Sequence, residues 1–161
     1  EEASIDFPTT VDLDVDAYMP PAYIVNEVQK LDIYKRIAGI EDEAECSDMK
    51  EELADRFGDI PRPVENLLRI SLLRKQAHDL YLSEVQGKNE TLTFTFAEHA
   101  GVRAERIPAL LQDFAGRMTF YAKGAYLQHR YKKCGVVEKD GEMLLTLTES
   151  ILERMKEYLL S

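Results

Sequence analysis

The chain has 161 residues, which suits one ordinary domain, and its 45% hydrophobic and 31% charged residues are typical of a globular protein, not a disordered one. Thirty acidic residues against twenty basic ones give a formal net charge of −10, which disfavours direct binding to nucleic acid, since such binding depends on Lys and Arg contacts to phosphates. No apolar run reaches the roughly 18 residues of a membrane span. We expect a cytoplasmic protein, and its acidic charge favours a partner with a basic surface.

A strand is the first predicted element, over residues 11–17, where Val11, Leu13 and Val15 alternate with aspartates. The aspartates have the alternate spacing of calcium ligands, but Ala17 and Tyr23 stand where an EF-hand loop needs Gly and Glu. We therefore expect a strand with a charged outer side, not a calcium site.

Three helices are predicted next. The first spans residues 22–38 and ends at Gly39; its expected inward stripe is Ile24, Val28, Leu31 and Ile37, with Tyr34 beside it. The second begins near Asp42, within a sequence that resembles a capping box, and ends before Gly58. Its narrow apolar spine consists of Cys46, Met49, Leu53 and Phe57. The third, near residues 63–80, should pack against the second as an antiparallel pair.

From residue 82 onward the pattern changes to a period of two. It predicts a hairpin over residues 82–96, a second over 118–130, and a third strand pair at 136–139 and 143–148. A helix over residues 103–114, with Pro108 in its first turn, precedes the second hairpin, and an amphipathic helix capped by Thr148 ends the chain.

The predicted helices and strands are largely segregated along the chain, which indicates an α+β fold. We expect an N-terminal strand, a helical hairpin segment, and then antiparallel strands and hairpins with packed helices. We interpret residues 1–161 as one domain, with a seam near residue 82 between a helix-rich and a sheet-rich half.

No motif for catalysis or for a cofactor is present. His78, His99 and His129 are scattered without metal-ligand spacing, and we expect them at or near the surface. Cys46 lies on an apolar stripe and Cys134 has no neighbouring histidine, so two reduced thiols are expected. We predict no catalytic residue, no cofactor, no metal and no enzyme activity for this chain.

Two charged stretches are candidates for binding. Residues 117–133 interleave cations with aromatic side chains, as a platform for single-stranded nucleic acid does. We favour a two-stranded ribbon whose aromatics pack inward, because the net charge argues against nucleic acid, and we keep the nucleic-acid-binding module as the alternative.

The second charged stretch is the acidic helix at residues 43–57. At about 100° per residue, Asp48, Glu52 and Asp55 fall roughly opposite the apolar spine, and Arg56 lies at its flank. This pattern is typical of a solvated acidic face. It also suits docking onto Arg or Lys of a partner through charge-assisted hydrogen bonds.

Two segments of the helical half resemble the C-terminal domain of bacterial transcription-repair coupling factors. They are Leu31-Asp32-Ile33-Tyr34-Lys35-Arg36-Ile37-Ala38 and Glu51-Glu52-Leu53-Ala54-Asp55-Arg56-Phe57-Gly58-Asp59-Ile60-Pro61. The resemblance is good over about residues 5–80 and looser through 82–161.

This resemblance implies a non-catalytic regulatory domain of a longer protein. Such a parent is an ATP-dependent DNA translocase that displaces stalled RNA polymerase and recruits the excision-repair protein UvrA. Its C-terminal domain is implied to dock on an N-terminal module that resembles UvrB, to mask the UvrA-binding surface and to restrain the motor, which lies outside this chain. The positions that match the family's docking contact are Glu52 and Asp55, with Arg56 and Asp48 beside them.

Overall fold

The computed structural model describes residues 6–131 and 141–160. In chain order its elements are β1 (Thr10–Asp12), α1 (Glu27–Ala38), α2 (Glu43–Phe57), α3 (Arg62–Asp79), β2 (Leu82–Lys88), β3 (Thr91–Phe96), a single 3-10 turn (Ala104–Arg106), α4 (Ile107–Asp113), β4 (Met118–Tyr121), β5 (Tyr126–Arg130) and α5 (Glu142–Leu159). The predicted α+β class is confirmed. No helix within the described ranges is long and apolar enough to cross a membrane.

One mixed sheet organises the second half of this structure. Its strand order is β1-β2-β3-β5-β4, with β1 parallel to β2 and the other neighbours antiparallel. Val85, Phe94 and Leu127 lie side by side on adjacent strands and are fully buried. They form a core with apolar side chains of α3, α4 and α5, so the helices cover this face of the sheet. We call the opposite, polar face the outer sheet face.

A second apolar cluster joins α1, α2 and the first half of α3. Its buried members are Met19, Ile24, Ile33, Ile37, Ile40, Cys46, Met49, Leu53, Val64 and Leu68. Helix α3 serves both clusters, because Val64 and Leu68 belong to this one while Leu73 and Ala77 belong to the sheet core. The two apolar clusters therefore meet along α3.

The predicted inward stripe of the first helix is partly wrong. Asn26 caps α1 by accepting a hydrogen bond from the Gln29 amide at 3.0 Å, so the helix starts at Glu27 and Ile24 precedes it. The prediction counted the helical period from Ile24, which lies before the helix, and so placed Val28 and Leu31 on the wrong side. Ile33 and Ile37 face the core, whereas Val28 and Leu31 face solvent.

The predicted third strand pair is not observed either. Residues 143–148 belong to α5, and residues 136–139 lie outside the described ranges. Thr148 is buried inside the helix, not at its cap, and its hydroxyl donates to the Leu144 carbonyl one turn earlier at 2.8 Å. Apolar side chains recur at helical spacing from Leu144 to Leu159, which explains why the segment is helical throughout.

Two smaller expectations also need correction. His129 is not near the surface but buried in the sheet core, where it contacts Phe114 edge-on with ring centroids 5.3 Å apart. In the ribbon over residues 117–133, Phe120 and Tyr131 pack against the core as expected. Tyr121 and Tyr126 instead stack on each other, with ring centroids 4.9 Å apart, on the outer sheet face.

Candidate docking surface on helices α1 and α2

Helix α2 is oriented by its caps and its apolar spine. The Asp42 side chain accepts a hydrogen bond from the Glu45 amide at 2.8 Å, and the Glu45 carboxylate reaches back to the Glu41 amide at 2.9 Å. This capping satisfies one amide in the first turn of α2 and one just before the cap, through the residues that the sequence predicted. Cys46, Met49 and Leu53 are buried, which confirms the predicted spine. The opposite side of the helix therefore faces outward, where Asp48, Glu52 and Asp55 were expected.

Tyr23 ties the end of α2 to the segment that precedes α1. Its hydroxyl lies 2.9 Å from the Gly58 carbonyl and 3.2 Å from the Leu53 carbonyl, to which it can donate. Its ring packs against Phe57 at a centroid distance of 5.9 Å. Burial raises the pKa of the Tyr23 hydroxyl, and the negative charge of Asp59 adds to this effect. The phenol thus keeps its proton and fixes α2 relative to α1.

Glu52 lies at the centre of an arginine–carboxylate cluster formed by Arg36, Glu52 and Arg56. Arg36 of α1 donates to both carboxylate oxygens, with Nη1–Oε2 at 2.7 Å and Nη2–Oε1 at 2.5 Å. Arg56 donates to Oε2 at 2.7 Å from one turn further along α2. The bidentate geometry of Arg36 is the stronger type of carboxylate contact. The cluster therefore connects α1 to α2 across the surface.

The electrostatics of Glu52 follow from these contacts. Hydrogen bonds from Arg36, and then from Arg56, lower the pKa of the Glu52 carboxyl from 4.5 to about 2. Its side chain is 30% exposed, so a partner can still reach it. However, Glu52 is not a free acceptor, because a cation from a partner would have to replace one of the chain's own arginines.

Asp48 and Asp55 lie on the same outward side of α2 and are exposed. Within residues 6–131 and 141–160, neither carboxylate forms an ion pair or a hydrogen bond. Arg56 lies over the Phe57 ring at 5.0 Å while it pairs with Glu52. Of the four predicted site residues, the structure therefore joins Glu52 and Arg56 in one cluster and leaves Asp48 and Asp55 available to a partner.

An apolar strip formed by Val25, just before α1, and by Val28 and Leu31 of α1 borders the cluster. These side chains are 78%, 77% and 60% exposed, respectively, which is unusual for aliphatic residues in a domain with two well-packed cores. Asp32 lies one turn after Val28, and its carboxylate is 3.9 Å from Arg36. The strip, the cluster and the neighbouring Asp48 and Asp55 therefore form one continuous surface, which we call the α1–α2 surface.

Sequence reasoning missed two components of this surface. Arg36 lies in the segment 31–38 that resembles the family, but its partner Glu52 is 16 residues further along the chain, so only the tertiary structure brings the two together. The apolar strip was assigned to the core. The Glu52–Arg56 pair, in contrast, has the i,i+4 spacing of a helical ion pair and was visible in the sequence.

Residues 13–107 match the sequence model of the TRCF domain, which covers more than half of the chain. The chain belongs to the TRCF domain family. The matched region contains the whole α1–α2 surface, together with α3 and the first hairpin.

Relatives of known name agree with the family assignment. The chain is 31% identical over 157 residues to the transcription-repair-coupling factor of Staphylococcus epidermidis, covering 97% of this chain but 12% of that protein. It is 36% identical over 104 residues to the transcription-repair-coupling factor of Escherichia coli K12, covering 65% of this chain and 9% of that protein. The TRCF chain thus spans about an eighth of the length of these relatives or less.

The fold has a counterpart among solved structures. The crystal structure of the C-terminal domain of a transcription-repair coupling factor superimposes with a TM-score of 0.73 and covers 94% of this chain and 95% of that one. Sequence identity between the two is 24%, so this likeness concerns the fold alone.

Proposed function

We propose that this TRCF domain is a non-catalytic regulatory domain that docks, through its α1–α2 surface, on an N-terminal UvrB-like module of the same parent protein. In this proposal the docked domain masks the surface that binds UvrA and restrains an ATP-dependent translocase motor until RNA polymerase is engaged. The observation that carries the proposal is the exposed apolar strip beside a charged cluster, on the elements that carry the family's most recognisable sequence.

The composition of the α1–α2 surface suits an interface. Interfaces combine an apolar centre with a polar rim, and most of the binding free energy comes from a few desolvated side chains. Exposed ion pairs contribute about 0–1 kcal/mol each, so carboxylates alone would hold a partner weakly. Val28 and Leu31 supply an apolar centre, and Asp48 and Asp55 supply carboxylates for arginines or lysines of the partner.

The cluster also offers a way to switch the interface. Glu52 is held by two arginines of its own chain, so a partner arginine gains only the difference between two similar contacts. A docked state and a free state of similar free energy are what a regulated clamp requires, and a coupling of about 1–3 kcal/mol is typical. Engagement of another partner can then shift the population toward the free state.

The proposal is tested by measuring the affinity of this chain for the separately produced N-terminal module of the same parent by isothermal titration calorimetry. Asp55→Arg and Leu31→Ser should each weaken binding about five- to tenfold or more, and added salt should weaken it further. Glu153→Arg is a matched control, because Glu153 is an exposed acid on α5, away from the α1–α2 surface. Unchanged affinity in both test variants, or equal loss in the control, would reject the proposal.

A further inference from the structure

The outer sheet face is a second surface that the docking proposal does not use. Strand register and the alternation of side chains place three rows on it. The first row is Arg117, Arg130, Thr91 and Lys88; the second is Thr119, Gln128, Thr93, Gln86 and Asp12; the third is Tyr121, Tyr126, Thr95, Glu84 and Thr10. Every side chain in these rows is exposed or half-buried, and none belongs to either apolar cluster. The face is therefore open among the described residues.

The first row concentrates cations that have no acidic partner among the residues that the structure describes. Arg117, Arg130 and Lys88 are exposed, and none forms an ion pair within residues 6–131 and 141–160. By contrast, many arginines elsewhere are paired with carboxylates, as Arg36, Arg69 and Arg154 are. The chain carries a net charge of −10, yet these three cations lie together at one end of one face. Such a row attracts a polyanion locally, whatever the mean charge.

The third row carries an aromatic platform. Tyr121 and Tyr126 stack with their rings tilted by 21°, and Tyr121 is 41% exposed. The turn residue Gly124 approaches the Tyr126 ring so closely that an added Cβ would lie 3.1 Å from Cε1. Tyr126 is thus supported by the turn and by Tyr121, while Tyr121 offers a ring to solvent. Exposed tyrosines on a sheet are the surfaces on which nucleic-acid bases stack.

Apart from Asp12 at the β1 edge, the second row separates the cations from the tyrosines with neutral hydrogen-bonding groups. Gln128 donates to the Thr93 hydroxyl at 3.3 Å across β5 and β3. Four residues along a strand span roughly 14 Å, so the cation row and the tyrosines lie within the footprint of a few nucleotides. Lys123, in the turn next to the tyrosines, adds an exposed cation at that end.

We propose that the outer sheet face binds single-stranded nucleic acid, with phosphates along Arg117, Arg130 and Lys88 and a base stacked on Tyr121. An acidic protein segment would suit the cations equally well. However, it would leave the exposed Tyr121 ring, beside a row of amide and hydroxyl groups, without a stacking partner. The net charge disfavours nucleic-acid binding by the chain as a whole, and this proposal concerns the outer sheet face alone. The proposal stands apart from docking through the α1–α2 surface, which lies on other elements.

The test is fluorescence anisotropy with labelled oligothymidylate and oligouridylate of about 12 nucleotides, titrated with the 161-residue chain at roughly 20 mM salt. We expect saturable binding with a dissociation constant on the order of 10⁻⁴ M or tighter. With three phosphate contacts, the plot of log K against log salt concentration should have a slope of about −2. The oligonucleotide that binds with the higher affinity identifies DNA or RNA as the preferred ligand, and either result supports the proposal.

Four variants, one of them a matched control, and an acidic peptide competitor complete this test. Lys88→Glu combined with Arg130→Glu should weaken binding more than tenfold and reduce the slope to about −0.7. The matched control, Lys35→Glu with Lys156→Glu, changes two exposed lysines elsewhere by the same charge and should retain most of the affinity. Tyr121→Ala should lower the affinity about fivefold to a hundredfold, whereas Tyr121→Phe, which keeps the ring, should bind like the parent chain.

A circular dichroism melt of each variant should show a melting temperature close to that of the parent chain, as a check that the fold is intact. Absence of binding at millimolar protein overturns the proposal. Equal loss in the control pair also overturns it, as does equally tight binding of a glutamate oligopeptide of the same charge, because either result would mean that the sheet does not recognise nucleic acid.

Discussion

Replacing Glu52 with glutamine tests the arginine–carboxylate cluster most sharply. The amide keeps the size of the side chain but removes the charge that holds Arg36 and Arg56 together. A fall of the Glu52 pKa from 4.5 to about 2 corresponds to at most about 3 kcal/mol, at about 1.4 kcal/mol per pKa unit. The Glu52 side chain is 30% exposed, so solvent screens its ion pairs. Asp32 also neutralises part of the Arg36 charge when Glu52 is replaced. Together these effects reduce the expected loss of stability to about 1–2 kcal/mol.

The pH dependence of this loss has a definite sign. The pKa of Glu52 is lower in the folded protein than in the unfolded chain, so its contribution is fully present above about pH 4.5. It disappears as the pH falls toward 2, because protonation of the carboxyl then removes the charge in both states. The gap in stability between the parent chain and Glu52→Gln should therefore be constant from pH 7 to about pH 5 and close between about pH 4.5 and pH 2.

Urea unfolding followed by circular dichroism measures the gap. The midpoint should fall for Glu52→Gln with an unchanged m-value, and the melting temperature should drop by about 3–6 °C. Asp55→Asn is the matched control, since Asp55 is exposed on the same helix and should change stability by less than about 0.5 kcal/mol. Equal midpoints for Glu52→Gln and the parent chain at pH 7 would refute the reasoning.

Three further predictions concern packing and protonation. Tyr23→Phe removes the hydroxyl that links the segment before α1 to two main-chain carbonyls at the end of α2. It should lower the free energy of unfolding in urea by about 1 kcal/mol. An unchanged free energy would mean that these hydrogen bonds are absent in solution. His129 is buried, its Nδ1 has no hydrogen-bond partner among the described residues, and burial together with the nearby Arg117 charge lowers its pKa. The unfolded chain therefore binds the proton more readily, so stability should fall as the pH drops below about 6.5. His129→Leu should flatten the plot of stability against pH between about pH 6.5 and pH 5. An identical slope in the variant and the parent chain would contradict the role given to His129. Gly141→Ala should destabilise the protein by about 2–4 kcal/mol, because Gly141 has φ 66° and an added Cβ would lie 2.6 Å from Cβ of Val15; a melting temperature equal to that of the parent chain would contradict this packing.

Local signals in the sequence predicted much of the fold. Caps and breakers placed α2 correctly, because Asp42 and Gly58 act through the residues next to them in the chain. Alternation placed β2 and β3, and the turn between them has positive φ at Asn89 and Glu90. The predicted strand at residues 143–148 failed because a short apolar run suits a strand and a buried helix equally well.

The docking surface was only partly predictable for a related reason. Periodicity indicates which side of a helix is apolar, but α1 has apolar side chains on two sides, and only packing decides which of them is buried. Ile33 and Ile37 meet α3 and the other residues of the helical core, which leaves Val28 and Leu31 outside. Likewise, the acidic side of α2 was visible, but the two arginines that neutralise Glu52 come together only in the folded chain.

The central claim, that the α1–α2 surface is where this TRCF domain docks, is tested most directly by hydrogen–deuterium exchange of the 161-residue chain with and without a saturating amount of its parent's N-terminal module. Docking predicts slower exchange in α1 and in the second half of α2, with no change in β4 and β5. Slower exchange confined to the sheet, or no difference in α1 at saturation, would contradict it.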